Sequence, residues 1–325
     1  MKAVVYHSDG LRVEEIEKPA PADNEVLIKV RAASLNALDS HLLEHPFLRR
    51  VLSAVSKSKL TRPGRDVAGE VEAVGSKVTR FKPGDAVFGC GNGTCAEYVC
   101  APESGLVIKP ESLSFEQTAA VGVAGLTALQ GLRDYGELQP GQKVLINGAA
   151  SGVGTFAVQI AKSLGAEVSA VCSTRNLEMV RAIGADRVFD YTREDFATSG
   201  EHYDLILDLV SNHSFSEDRR VLNPKGTYIG AGVLGLNSLI SLLSRKIVEL
   251  VMSPFVTQRF VSLMAKLKKE DLTILSDLMT AGKVTPVIDR SYSLSEGPEA
   301  VRYLAGKHAR GKVVVVVGPQ IMQID

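Results

Sequence analysis

The sequence predicts an α/β protein in two parts, a β-rich domain and a doubly wound parallel sheet, and three observations predict it. The chain has 325 residues, beyond the ~250–300 at which a single core usually stops growing. Its first hundred or so residues break short apolar alternations with Gly, Pro and Asp, as in VLIKVRAAS, VAGEVEAVG, RFKPGDAVFG and CAEYVCAP, a pattern of many short strands and turns. After Pro110 helical stretches alternate with strands that are apolar throughout: KVLIN, EVSAV, RVFDY, YDLILDLV and GTYIGAG. Strands of that kind, separated by helices, belong to a parallel sheet covered on both faces.

Bulk properties narrow the function. Lys plus Arg and Asp plus Glu number 37 each, so no basic footprint points to nucleic acid, and a small-molecule ligand is expected. The start, MKAVVYHSDGLRVEEIEKP, lacks the long apolar core of a signal peptide and carries acids early. Nor is there an uninterrupted apolar run of ~18 residues, so no transmembrane segment and a cytoplasmic location are expected. Cysteines stand at positions 90, 95, 100 and 172. The C-x4-C-x4-C run lacks the short spacing and histidine partners of a zinc knuckle, so these read as reduced structural thiols.

The central motif is a strand, a tight turn and a helix. Lys143 to Asn147 reads as a buried strand. Val153, Phe156, Ala157, Ile160, Ala161 and Leu164 then recur on one helical face. A dinucleotide turn needs small residues for a tight bend, for close approach of backbone to pyrophosphate and for helix-on-strand packing. Aligned on its last glycine, the G-x-G-x-x-G pattern becomes Ala149-x-Ser151-x-x-Gly154, with Gly152 and Gly148 adding freedom. Free amides of the helix, around Gly152 and Val153, and the positive end of its macrodipole face a diphosphate there, and the Ser151 hydroxyl is a further donor. A P-loop would need Lys after Gly154, where Thr155 stands.

An NAD site would place a carboxylate at the end of the second strand, about 20 residues on. Val168 to Cys172 runs instead into Ser173, Thr174, Arg175 and Asn176. A hydroxyl and a guanidinium suit a 2′-phosphate, which favours NADP(H). The glycine spacing also fits short-chain dehydrogenases, and Tyr303-x-x-x-Lys307 mimics their catalytic pair. Only 18 residues follow Lys307, too few for that fold, so Tyr303 is expected to pack one face of a short helix. A helical pattern over 270–282, with Gly282 as its stop, closes the α/β region. Beyond it a strand, helix, strand texture returns, ending in KVVVVVG, and the pattern leaves open which domain this tail joins.

Taken together, 63-PGRDVAGEVEAVGSKVTRFKPGDAVFG-89, 94-TCAEYV-99, 118-TAAVGVAGLTAL-129, the AASGVG turn and 184-GADRVFDY-191 give a chain that resembles the medium-chain dehydrogenase/reductase superfamily. Within it, the chain looks most like the zinc-independent quinone oxidoreductase branch, the zeta-crystallin-like proteins. The resemblance implies a GroES-like catalytic domain (residues 1–118 and 284–325) and a Rossmann domain (residues 119–283). It also implies an active site in the cleft between them and a homodimer joined through the Rossmann sheets.

Carried over residue by residue, the resemblance implies that Asn36 and Asp39 of 34-SLNALD-39 lie beside nicotinamide and substrate. Thr127 matches a residue near the coenzyme phosphates or nicotinamide. Ser173, Arg175 and Tyr191 fall near the 2′-phosphate pocket, with Asn176 where some relatives have lysine. Leu209 and Val210 flank the nicotinamide, and Gly230 and Gly232 follow. The central turn glycine of the family is Ser151 here.

Zinc relatives carry Cys and His ligands where this chain has Asn36 and Arg65-Asp66, and they insert a four-cysteine lobe that this sequence lacks. No metal site is therefore expected, and ordinary alcohol oxidation is disfavoured. A quinone or α,β-unsaturated carbonyl acceptor needs less polarisation, because conjugation spreads the charge that arrives with the hydride. His41 stands where some relatives have tyrosine and is the candidate proton donor. The alternatives are a cofactor-binding scaffold without turnover and a zinc-free alcohol dehydrogenase-like enzyme. Two features read as bland: the basic stretch with Arg49, Arg50, Lys57, Lys59, Arg62 and Arg65 as a solvated loop, and the leucine-rich 233–255 as a core or lid helix.

Overall fold

The computed structural model describes residues 1–7, 9–45, 47, 49, 61–231, 257–306 and 309–318. They form two compact units, one of Met1–Ala124, Leu267–Ala281 and Pro286–Asp325, the other of Gly125–Lys266 and Gly282–Thr285. Gly232, Lys307, Arg50, Lys57, Lys59 and the leucine-rich 233–255 lie outside the described residues.

The first unit is β-rich. A hairpin of β1 (Lys2–Tyr6) and β2 (Leu11–Glu15) accompanies a larger sheet of β3 (Glu25–Leu35), β4 (Asp66–Val74), β5 (Ala86–Cys90), β6 (Tyr98–Pro102) and β7 (Leu106–Ile108). Helix α1 (Ala37–Glu44) follows β3, and α2 (Phe115–Ala119), opened by a Ser114–Gln117 capping box, leads into α3 (Gly122–Gln130). The central strand β3 pairs with β4, β6 and, from the tail, β15 (Lys312–Val316). With neighbours on every side it is buried almost throughout rather than on alternate residues. Val4, Ile28, Val30, Val67, Val71, Val99, Val313 and Val315 form its core, each contributing about 1.5–3 kcal/mol when fully buried.

The second unit is a six-stranded sheet of β8 (Lys143–Asn147), β9 (Glu167–Cys172), β10 (Arg187–Asp190), β11 (Tyr203–Asp208), β12 (Leu222–Gly230) and β13 (Arg259–Ser262). The strand order is β10-β9-β8-β11-β12-β13 and every pairing is parallel. Numbered from β8, this is the 3-2-1-4-5-6 order of the Rossmann fold, whose ligands bind where the order reverses, here between β8 and β11. Helices α4 (Gly152–Ser163), α5 (Leu177–Ala182) and α6 (Phe215–Arg220) make the crossovers.

The tail returns to the first unit: β14 (Ile288–Ser293) pairs with β15 (Lys312–Val316), and β15 runs antiparallel to β3. The resemblance implies boundaries at 118/119 and 283/284. The first unit runs on to Ala124, and α7 (Lys269–Thr280), expected to close the α/β region, belongs to the first unit because it packs on β7. Gly282, at φ +68°, stands two residues beyond the end of α7. Tyr303 lies on α8 (Gly297–Ala305), donating to Asp289 at 2.7 Å beside the Tyr292 ring, so packing accounts for it.

Candidate active site

The phosphate turn bends at the carboxyl end of β8. Gly148 and Ala149 donate to Val171 O at 3.2 and 3.0 Å, which folds the chain back across β9. Gly148 holds φ +88°, and a Cβ there would also come within 2.9 Å of Val210. Ser151 caps α4, its Oγ accepting from Gly154 N at 3.1 Å. The hydroxyl is thus engaged as an acceptor, while its own proton stays available. Gly152 and Val153 precede any intrahelical acceptor, so their amides are the helix donors that remain for an anion. A Cβ on Gly154 would stand 2.2 Å from Gly148 O and 2.7 Å from Ala149 Cα. Only glycine lets α4 approach β8 this closely.

Beside this turn, Asp208 organises the switch point. Its carboxylate accepts from Asn147 Nδ2 (2.9 Å), Val210 N (2.9 Å), Ser211 N (2.8 Å) and Tyr228 OH (2.5 Å). Leu209 N donates to Asn147 O at 3.1 Å, and Ala231 N, following Gly230, donates to Asp208 O at 2.9 Å. The ends of β8, β11 and β12 are therefore tied together, which gathers Ala149, Ser151, Leu209, Val210 and Gly230 on one sheet edge. Sequence reading passed over Asn147 and Asp208, although a polar residue closing an apolar strand is a readable signal at a switch point. Thr127 lies half-buried on α3.

The next edge holds the residues expected around a 2′-phosphate. Ser173 follows β9, and Thr174–Asn176 form a single 3-10 turn with Arg175 exposed. Tyr191 follows β10, 62% exposed, its amide on Cys172 O. Asn176 is buried and donates to Ser173 Oγ at 3.1 Å, so its side chain turns inward rather than standing in for a lysine. The Asp190 carboxylate accepts from the Thr174 hydroxyl at 2.5 Å and from Thr192 N and Oγ. These donors, Thr174 foremost, hold it below the usual carboxylate range against the opposing effect of burial.

In the first unit a polar row crosses the sheet at the start of β15. The register sets Val313 opposite Leu35, Ser34 opposite Asp66, and Asp66 opposite Cys90. The Lys312 ammonium, 2% exposed, donates to Asn36 Oδ1 at 2.8 Å and to Asp66 Oδ2 at 3.1 Å. Asp66 also accepts from Ser34 Oγ (2.8 Å), Asn36 Nδ2 (3.0 Å) and Val123 N (2.7 Å) in the first turn of α3. Gly122 is needed there, since a Cβ would meet Asp66 Oδ1 at 2.3 Å. Asp39, proposed from its motif to lie beside the substrate, has both carboxylate oxygens on backbone amides: Gly64 N at 2.9 Å and Asn36 N at 2.8 Å. Burial pushes its carboxyl up against the pull of these amides. His41 is half-buried on α1.

Comparison with known proteins agrees with both units. The alcohol dehydrogenase GroES-like domain family matches residues 22–111, and the family described as zinc-binding dehydrogenase matches residues 183–315. The chain is 35% identical to the chloroplastic quinone-oxidoreductase QR1 of Triphysaria versicolor, covering 97% of this chain and 98% of that one. It is 32% identical to the 2-methylene-furan-3-one reductase of Solanum lycopersicum, over 97% of this chain and 79% of the relative. The solved quinone oxidoreductase from Coxiella burnetii superposes with a TM-score of 0.86 at 32% identity, covering 98% of this chain and 99% of that chain. The chain belongs to the medium-chain dehydrogenase/reductase superfamily, in its quinone oxidoreductase branch. It is an oxidoreductase of a nicotinamide dinucleotide-binding family.

One matched family of this medium-chain oxidoreductase is named for zinc, so the fit of that ion matters. The resemblance implies that Asn36 and Arg65-Asp66 stand where zinc relatives carry ligands. Here an ammonium sits within hydrogen-bond distance of Asn36 and Asp66, and burial, with Asp66 beside it, pushes the neighbouring Cys90 thiol well up. A carboxamide, an ion-paired carboxylate and a protonated thiol around a fixed cation do not make a zinc site. Among the described residues a different trio could hold a metal: His41, Glu44 and His45, with ligand atoms within 4.8 Å of one another, the last two exposed. Sequence reading missed it, although His-x-x-Glu-His on a helix places all three on one face.

The four cysteines of the chain are free, three of them buried. Burial pushes Cys100 and Cys172 each up to about 11 and Cys90 and Cys95 well above the usual thiol range. At pH 8 a thiolate titrating near 11 is populated about 100-fold less than one near 9. Iodoacetamide is expected to label the native protein about 100-fold more slowly than the urea-unfolded chain, the rate climbing toward pH 11. Equal rates at pH 8 would contradict this.

Proposed function

We propose that the protein is a zinc-independent, NADPH-dependent reductase of quinones or α,β-unsaturated carbonyl compounds. The observation that carries the reading is the Lys312 ammonium between Asn36 and Asp66, which leaves hydrogen-bond donors, and no ion, to meet the acceptor. A reduced nicotinamide supplies a hydride when bound. Gly152 and Val153 offer amides to its diphosphate. Arg175, Ser173 and Tyr191 hold the 2′-phosphate, and the loop tied by Asp208 presents Leu209, Val210 and Gly230 to the nicotinamide. A conjugated acceptor spreads the charge it receives, so positioned donors suffice without a Lewis acid. Relatives named quinone oxidoreductase and furanone reductase support that acceptor class.

His41 is the proton donor in this reading. His41→Gln should then lower kcat for a quinone or enone while NADPH binding is kept; an unchanged kcat removes His41 from the role. The reading also takes the protein as a cytoplasmic homodimer, to be checked by fractionation and light scattering. Among the described residues no helix is long and apolar enough to cross a membrane.

The direct test mixes purified, chelator-treated protein with NADPH and a panel of quinones, enones and simple aldehydes. Loss of absorbance near about 340 nm with the conjugated acceptors supports the reading. Coenzyme binding without turnover supports the scaffold alternative, and turnover of simple aldehydes or alcohols the alcohol dehydrogenase-like one. Arg175→Ala is expected to weaken NADPH binding by ~1.5–3 kcal/mol, roughly 10- to 150-fold, and leave NADH nearly unchanged. Equal losses for both coenzymes would refute the 2′-phosphate assignment.

A further inference from the structure

Lys312 opens an apolar strand, and nothing in its local sequence marks it. The fold buries it to 2% exposure against a carboxylate that is wholly buried. Such a pair adds little net stability over a well-packed apolar one, so what it does to its third member is the informative question. An ammonium only donates and a carboxylate only accepts. The Asn36 carboxamide therefore has one allowed orientation: Oδ1 toward Lys312 at 2.8 Å and Nδ2 toward Asp66 at 3.0 Å. One of its two N–H groups is spent on Asp66. The second belongs to a side chain that is only half-buried, while Ser34, Asp66, Cys90 and Lys312 around it are buried.

We propose that Lys312 is a positioning residue which, with Asp66, clamps the Asn36 carboxamide so that its second N–H is a fixed donor for a carbonyl or quinone oxygen of the acceptor. The cation on Oδ1 polarises the amide and strengthens that N–H as a donor. Because the amide cannot turn, no reorganisation is needed as negative charge grows on the acceptor oxygen. Asn36 itself is held by its position as N-cap of α1, with its backbone N–H on Asp39 Oδ2 at 2.8 Å. Lys312 supplies the remaining rotational constraint. This inference rests on the reductase reading for the identity of the acceptor, but not for the clamp.

The test compares wild type, Asn36→Ala, Lys312→Met and the double variant. Each single variant is expected to lose about 100-fold in kcat/KM for a quinone or enone, with NADPH affinity unchanged. The double variant should be no worse than the worse single, because both remove one device. Losses that multiply would overturn the proposal. In parallel, nitrogen-15 labelling of asparagine reads the Asn36 Nδ2 protons without coenzyme or substrate. Their shifts, spread apart by the carboxylate in wild type, should move toward free-asparagine values in Lys312→Met. Unchanged shifts would overturn the clamp. If Lys312→Met does not fold, Lys312→Gln replaces it, and free-asparagine shifts in wild type alone would already refute the proposal. A wild type that reduces no acceptor sinks the reductase reading while the spectra still decide the clamp.

Discussion

Asp66→Asn is expected to destabilise the protein by about 3–5 kcal/mol, because it leaves a buried ammonium without its counter-charge. The carboxylate is wholly buried and receives Ser34, Asn36, Lys312 and the Val123 amide. An asparagine keeps the shape but turns an NH2 toward at least one of these donors, so hydrogen bonds are lost along with the charge. Urea unfolding reports the loss as a lower midpoint at unchanged slope. Adding Lys312→Met to Asp66→Asn should recover part of it, since the stranded charge is gone. A loss below about 1 kcal/mol, or no recovery in the double variant, would mean the pair is solvated in a way its burial excludes.

Gly154→Val is expected to cost about 3 kcal/mol and to weaken coenzyme binding about 100-fold. The added Cβ would stand 2.2 Å from Gly148 O and 2.7 Å from Ala149 Cα and C. Those are backbone atoms, so relief requires α4 to move away from β8, carrying the Gly152 and Val153 amides with it. Ser151→Gly is the matched control. It loses the side-chain cap on Gly154 N, worth only a few tenths of a kcal/mol when glycine replaces serine, and should bind coenzyme nearly as wild type does. If Ser151→Gly proves as damaging as Gly154→Val, close packing of α4 on β8 is not what the turn depends on.

Much of this was legible in the chain itself. Apolar strands after Pro110 indicated the parallel sheet, because strands covered on both faces must be apolar throughout. The turn was readable because sterics demand small residues there whatever their identity, and Gly154 shows the demand as a distance. Lys312 was not legible. Its burial comes from pairing with β3 and β4, and its partner Asn36 lies 276 residues away in the chain, so no local pattern encodes it. Asp39 was read from its motif, whereas its bonds to the backbone amides of Asn36 and Gly64 were not legible, because Gly64 lies 25 residues away in the chain. The helix Lys269–Thr280 was recognisable as a helix. Its allegiance was not, because periodicity shows that a face is apolar and leaves unsaid which sheet receives it.

The claim on which the rest depends is that NADPH binds at the carboxyl edge of β8 and β9 with no metal ion taking part. Titration calorimetry of chelator-treated protein tests it directly. Saturable heat with NADPH is expected, with an affinity for NADPH above that for NADH and loss of that preference in Arg175→Ala. Folded protein that gives no heat with either coenzyme, or that binds NADPH only after zinc is added back, would contradict it.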